Sequence, residues 1–96
     1  MRITLLSPAL SEILDAIQYY EGKAPGLGAA FDADLARAIA FVAENPSLGS
    51  PFAADTRRVL FQAFPYALVY RDAGDELVVV AVAHQSRRPG YWTNRL

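Results

Sequence analysis

Tyr66-Ala-Leu-Val-Tyr70-Arg71-Asp72-Ala73-Gly74-Asp75-Glu76-Leu-Val-Val-Val80-Ala-Val-Ala-His84 is the stretch on which the fold turns. In Tyr66–Arg71 the period is two: Tyr66, Leu68 and Tyr70 share one face, Ala67, Val69 and Arg71 the other. Asp72–Asp75 then reads as a tight turn, with Gly74 free to take positive φ, so two antiparallel strands are expected. Glu76–His84 is apolar on both faces, which predicts a strand in the interior of the sheet or covered on both sides. Arg57–Phe61 is a further strand, preceded by a loop over Ser47–Thr56. The N-terminal half is different. Residues 2–6 form a short apolar strand, with Ser7 as the expected cap of a helix and Pro8 in its first turn. Leu10, Ile13, Leu14, Ile17 and Tyr20 recur at helical spacing and are the predicted buried stripe. Gly22 and Ala24-Pro25-Gly26 end that helix, and a second starts near Leu27, buries Phe31, Leu35, Ile39 and Val42, and stops at Asn45-Pro46. The expectation is an α+β fold of order β-α-α-β-β-β, a helical hairpin packed on a small, mainly antiparallel sheet.

Ninety-six residues suit one domain, 1–96, with no linker or repeat dividing them. Without cysteine there is no disulfide framework and no thiolate metal site, and a single histidine argues against a catalytic metal centre. No metal and no organic cofactor are therefore expected. The longest apolar run, Leu77–Ala83, is far shorter than the roughly 20 residues a membrane helix needs. The first residues lack the apolar core of a secretory signal, so a cytoplasmic protein without membrane contact is expected. Phosphate-loop, dinucleotide, zinc-protease and nucleophile-elbow motifs are all missing.

The net charge of −1 is unevenly spread, with residues 1–50 at −3 and residues 51–96 at +2. All the bases of the second half are arginine, whose planar fork suits phosphate or carboxylate better than lysine does. The segment His84-Gln-Ser-Arg87-Arg88-Pro-Gly-Tyr91-Trp92-Thr-Asn-Arg95 follows the predicted inner strand, which presents its charges and rings at one end of a rigid sheet. Arg87, Arg88, Tyr91, Trp92 and Arg95 are thus candidates for binding an anionic target; the plainer alternative packs the two rings against the domain. Arg57 and Arg58 are neighbours on one strand, so only one of them can share a face with Arg71. Beside the arginines, His84 is a candidate acid or base for attack of a ribose hydroxyl on a phosphodiester, against the commoner role of a hydrogen-bonded histidine at a strand end. Glu12, Asp15, Glu21, Asp32 and Asp34 lie on the helices with no partner evident from the sequence.

These fragments, in order, resemble the RelE/ParE superfamily of toxins from bacterial type II toxin–antitoxin systems. The likeness runs from Ala9 to Tyr20-Glu21, through Gly26-Leu-Gly-x-x-Phe31, Asn45-Pro46 and Arg57-Arg58-x-Leu60, to Phe64-Pro65-Tyr66-x-Leu-Val-Tyr70-Arg71, Val80-Ala-Val-Ala-His84 and Arg87-Arg88-Pro89-x-Tyr91-Trp92. The resemblance implies the same β-α-α-β-β-β fold, and a cognate antitoxin as partner. Such an antitoxin would add an extended, acidic segment to a sheet edge while a helix fills an apolar groove, with Arg57, Arg58 and Arg71 taking its carboxylates. Two activities exist in the superfamily. Members similar to RelE cleave mRNA on the ribosome without a metal; Arg58 and Arg88 match two of their basic positions and, with His84 and Tyr91, are the candidate catalytic residues if this chain is such a ribonuclease. In this chain Ala67 and Leu60 stand where those members carry bases, and the tail tyrosine's register falls nearer Asn94. Members similar to ParE inhibit DNA gyrase by binding, and Phe64-Pro65-Tyr66 with His84-x-x-Arg87 looks closer to these. Gyrase inhibition is the favoured expectation, with mRNA cleavage as the alternative and a non-toxic, antitoxin-binding remnant as the second. A homodimer or a toxin–antitoxin hetero-oligomer is compatible with either.

Overall fold

The computed structural model describes residues 1–96. Its elements are β1 (Arg2–Leu5), α1 (Ser7–Lys23), α2 (Leu27–Glu44), β2 (Ser50–Phe52), β3 (Thr56–Leu60), β4 (Tyr66–Asp72) and β5 (Glu76–His84). The five strands lie in the order β1-β5-β4-β3-β2, with only the β1–β5 pair parallel. The expected architecture holds, with one strand more than expected. β2 is three residues long, contains Pro51 and sits inside the segment read as a loop, where no alternation marks it. It exists because β3 offers Thr56–Arg58 as an antiparallel partner at the sheet margin, where a proline is tolerated.

β5 is an inner strand, as its two-sided hydrophobicity requires. Leu77, Val79 and Val82 face the helices in a core shared with Phe31, Leu35, Val42, Leu68 and Tyr70. Val80 and Ala81 both face the far side, because the register shifts by one residue between Val69↔Ala81 and Tyr70↔Val79. That bulge turns the end of β5 so that His84 comes opposite Tyr66.

Two expectations about α1 are corrected. Ser7 does not cap it: the helix begins at Ser7, and Leu6 is the extended residue before it. Leu6 donates its N–H to the Val79 carbonyl (3.1 Å), so strand pairing continues to the residue before the helix and leaves no room for a separate cap. The buried stripe is Ala9, Ile13 and Ala16, whereas Leu10 and Leu14 are exposed. Small alanines let α1 approach the sheet closely, which rotates the bulky leucines to its flank. Between the helices, Gly26 takes φ 92° and Glu21 accepts from the Gly26 and Gly28 N–H groups at 3.0–3.2 Å, satisfying orphan donors at the start of α2.

Candidate target-binding cleft

On the face away from the helices, β3, β4 and β5 carry a cleft of about 300 Å³ closed at one end by the C-terminal tail. Its floor is aliphatic, with Ala67, Val69 and Ala83 in the middle and Leu60 at the mouth. Arg58 stands on the β3 flank, and Arg87 and Arg88 on the β5 flank; no carboxylate lines it. None of these three guanidinium groups has a hydrogen bond or ion pair within the chain. Arg58 lies over the Phe52 ring at 4.5 Å and Arg87 over the Tyr91 ring at 3.9 Å, each a cation–π contact. The free positive charge of the protein is concentrated here.

Arg57 and Arg71, by contrast, are spent internally. Arg58 pairs with Val69 and so shares its face with Arg71, while Arg57 pairs with Tyr70 on the helix side. Arg57 donates to the carbonyls of Gly49 (2.8 Å) and Ser47 (3.3 Å), and Arg71 to that of Ala54 (2.8 Å). Both therefore staple the 47–55 segment onto the sheet. A second, apolar groove of about 180 Å³ runs between α2 and β3, where Phe41 and Leu60 are half-exposed. Beside it, β2 covers only Thr56–Arg58, so Val59 and Leu60 have no strand on that edge.

The tail departs most from its sequence reading. Trp92 is 1% exposed and packs at the tail end of the cleft against Val69, Val80 and Ala81, so it forms part of the wall instead of presenting a ring to a target. Arg95 makes a bidentate pair with Glu12, both contacts at 2.9 Å, and also donates to the Val80 carbonyl at 3.1 Å. Glu12 accepts in addition from the Val82 N–H (3.0 Å) and from the Tyr91 hydroxyl. This cluster has a structural cause. β1 ends at Leu5, so beyond Val79 the outer edge of β5 has no neighbouring strand, and the Glu12–Arg95 pair serves its free N–H and C=O groups instead. Burial, with the Glu12 carboxylate as the second cause, pushes the Tyr91 hydroxyl up to about 12. Sequence reasoning missed Glu12 because its partners lie 70 to 83 residues away. The available signal was its place beside the Ala9–Ile13–Ala16 stripe, at the border of the buried face.

His84 borders the cleft, but its ring stands edge-on to Tyr66 at 5.1 Å, on the helix side. Its Nδ1 accepts from the Ser86 N–H at 3.0 Å, which places the proton of the neutral ring on Nε2. The structure thus gathers Arg58, Arg87 and Arg88 around one cleft, holds His84 and Tyr91 at its border in contacts of their own, and ties Arg95 to Glu12 outside it.

The model of the ParE toxin of the parDE type II toxin–antitoxin system matches residues 3–89. The chain belongs to the ParE toxin family. A solved structure described as the chromosomal ParDE toxin–antitoxin system from P. aeruginosa is similar in fold, with a TM-score of 0.75 at 12% identity, over 88% of this chain and 95% of that one. No curated protein matches the chain significantly. The match to the ParE family covers Arg58, His84, Arg87 and Arg88, whereas Tyr91, Trp92 and Arg95 lie beyond it. Membership of a toxin–antitoxin family implies an antitoxin partner. No helix is long and apolar enough to cross a membrane.

Proposed function

We propose that this ParE-family toxin arrests growth by binding DNA gyrase through the Arg58–Arg87–Arg88 cleft, and that a cognate antitoxin neutralises it. The observation that carries the reading is that the cleft offers free charge over an aliphatic floor, while the two proton-transfer candidates at its border, His84 and Tyr91, are engaged within the chain. His84 has its Nδ1 lone pair occupied, and the Tyr91 hydroxyl is bound to Glu12 and far from titrating at neutral pH. Phosphodiester cleavage by a ribose hydroxyl needs a base and an acid at the reacting atoms. Binding needs only charge and shape. On this reading the antitoxin takes the open β3 edge and the α2–β3 groove, where an extended strand can pair with Val59 and Leu60 and an apolar face can cover Phe41. Because Leu60 borders both groove and cleft, an antitoxin seated there also narrows access to the arginines.

The test assays the purified wild-type protein on gyrase supercoiling and on ribosome-bound mRNA. Inhibited supercoiling with intact mRNA is expected, lost in graded steps by Arg88→Ala and Arg58→Ala at roughly 1–3 kcal/mol of affinity each. Wild-type cleavage of mRNA that a folded His84→Gln variant abolishes would replace this reading with ribonuclease chemistry. Induction in a host cell without growth arrest would replace it with a non-toxic, antitoxin-binding role.

A further inference from the structure

Three unpaired guanidinium groups around one cleft fit two kinds of anion, the phosphates of a nucleic acid or the carboxylates of a protein. The surroundings distinguish them. A cleft for unpaired nucleic acid offers ring faces on which bases stack, beside the charges that hold the backbone. Here every ring at the cleft is already occupied. Phe52 is covered by Arg58, Tyr91 lies between Arg87 at 3.9 Å and Arg95 at 5.2 Å, and Trp92 is buried against Phe52 at 5.7 Å. What the floor does offer is methyl and isopropyl groups, those of Ala67, Ala83 and Val69, with the half-exposed Leu60 at the mouth. Such a floor gains from an aliphatic side chain and gains little from the polar edge of a base.

The arrangement of charge around the floor follows from the strand order. β4 supplies Ala67 and Val69 at the centre, β3 places Arg58 on one flank, and β5 with the tail places Arg87 and Arg88 on the other. Two inter-strand spacings separate the flanks, about 10 Å at the backbone. In an extended segment lying across the strands, residues i and i+4 point the same way about 13 Å apart, with i+2 between them. Guanidinium groups stacked on rings are held with few rotamers open, and their N–H forks remain free at the rim for bidentate contact with a carboxylate.

We propose that the cleft takes an extended acidic segment of a protein, with a branched aliphatic side chain on the Ala67–Val69–Ala83 floor and a carboxylate at each flank, one toward Arg58 and one toward Arg87 and Arg88. This deepens the reading of the cleft as the target-binding site and rests on it. The probe is the peptide N-acetyl-Glu-Ser-Leu-Ser-Glu-amide, titrated into the full chain. Trp92, the sole tryptophan, lines the cleft beside the floor and reports occupancy by fluorescence, with the Arg side-chain and Ala methyl resonances as a second readout. Saturable binding is expected. Replacing both Glu by Gln, or the Leu by Ser, should each weaken it about tenfold, and Arg88→Gln should do the same. The Arg88 side chain makes no hydrogen bond, ion pair or ring contact within the chain, so that variant stays folded; Arg58→Gln is the independent check on the other flank. A single-stranded RNA hexamer at the same salt should bind more weakly than the peptide and shift Trp92 less. Tighter binding of the RNA, equal binding of the uncharged peptide, or no saturable change at millimolar peptide would each overturn the proposal. Peptide binding in a protein that leaves gyrase untouched would remove gyrase as target and leave this inference standing.

Discussion

Each helix sends one carboxylate across to the backbone of the sheet, and the two do this differently. Asp34 on α2 is 1% exposed and accepts from three consecutive main-chain N–H groups, Gln62 (3.2 Å), Ala63 (2.8 Å) and Phe64 (3.0 Å), with Arg37 at 2.7 Å as its counter-ion. Glu12 on α1 accepts one main-chain N–H, from Val82, and otherwise side chains of the tail, Tyr91 and Arg95. Asp34 shapes the turn between β3 and β4 through donors that no side-chain replacement in the loop removes. Glu12 fixes the segment that carries Arg87 and Arg88 through donors that can be deleted singly. The first is an all-or-none support; the second can be dismantled from either end.

The largest effect should therefore follow Asp34→Ala, which leaves three backbone donors without their acceptor on the inner side of the Gln62–Phe64 loop. A loss of about 3–4 kcal/mol is expected in urea unfolding, with Asp34→Asn intermediate because its amide oxygen still accepts. Arg37 is half-exposed and can return to water, which keeps the cost from being greater. A smaller loss than that of the Glu12 variant below would reverse the comparison. The acid limb provides a second measurement. Burial raises the Asp34 carboxyl, but the three N–H donors and Arg37 outweigh it and hold it below the ordinary carboxylate value. Its stabilising contribution is thus complete above about pH 4 and lost as pH falls through the lower folded value. Asp34→Asn should flatten stability against pH in that range, while a variant at Glu12 should leave Asp34's part of the acid slope unchanged.

How much of this was legible depends on the range of the interaction. The Tyr66–His84 hairpin declares itself because its alternation and its Asp72–Asp75 turn are local. β2 does not, since three residues with a proline form a strand only when β3 is alongside. That only one of Arg57 and Arg58 shares a face with Arg71 followed from alternation, and the grouping of Arg87 with Arg88 from the charge run, whereas the choice of Arg58 needed the strand register. The burial of Trp92 and the pairing of Arg95 did not, because both depend on β1 stopping at Leu5 and exposing one edge of β5. Nothing near residue 92 in the chain encodes that. Asp34 was readable as a helical acid among apolar neighbours, but its loop partners stand 28 to 30 residues away.

Glu12→Ala comes next in size. It leaves Val82 N–H unserved and the Arg95 guanidinium, only 15% exposed, without a counter-ion, so about 2–3 kcal/mol should be lost. The tail can swing out to hydrate Arg95, which keeps the cost below that of Asp34→Ala. Hydrogen exchange should accelerate at Val82 and through residues 85–96 while Gln62–Phe64 stay protected. Uniform acceleration across the chain would show that Glu12 supports the whole fold and not the tail alone.

Arg95→Gln should cost less, about 1–2 kcal/mol, since Glu12 retains Val82 and Tyr91 and can admit water where the guanidinium was. Affinity for the target should fall with it if the tail's placement matters, although Arg95 does not line the cleft. Measured by thermal unfolding alongside the proposed inhibition of gyrase, unchanged affinity with reduced stability would separate the support from the binding surface.

The smallest effect is reserved for Tyr91→Phe, which removes one hydroxyl donor and keeps the ring under Arg87; at neutral pH it should cost about 0.5–1.5 kcal/mol. Its diagnostic value lies in alkali. The folded Tyr91 hydroxyl, at about 12, stands above the ordinary value of about 10, so the native state holds a proton that the unfolded chain has released. Stability from this group is therefore present below pH 10 and drains away between pH 10 and 12. Tyr66, also raised to about 12 by burial, drains in the same window, but it is common to wild type and variant and cancels in the comparison. Arg95 stays charged throughout, since its bond to Glu12 moves it further upward. The gap between wild type and Tyr91→Phe should accordingly be constant up to pH 10 and close above it. A gap that persists unchanged to pH 12 would mean that the hydroxyl is not held by Glu12, and that the tail is fastened by the Arg95 pair alone.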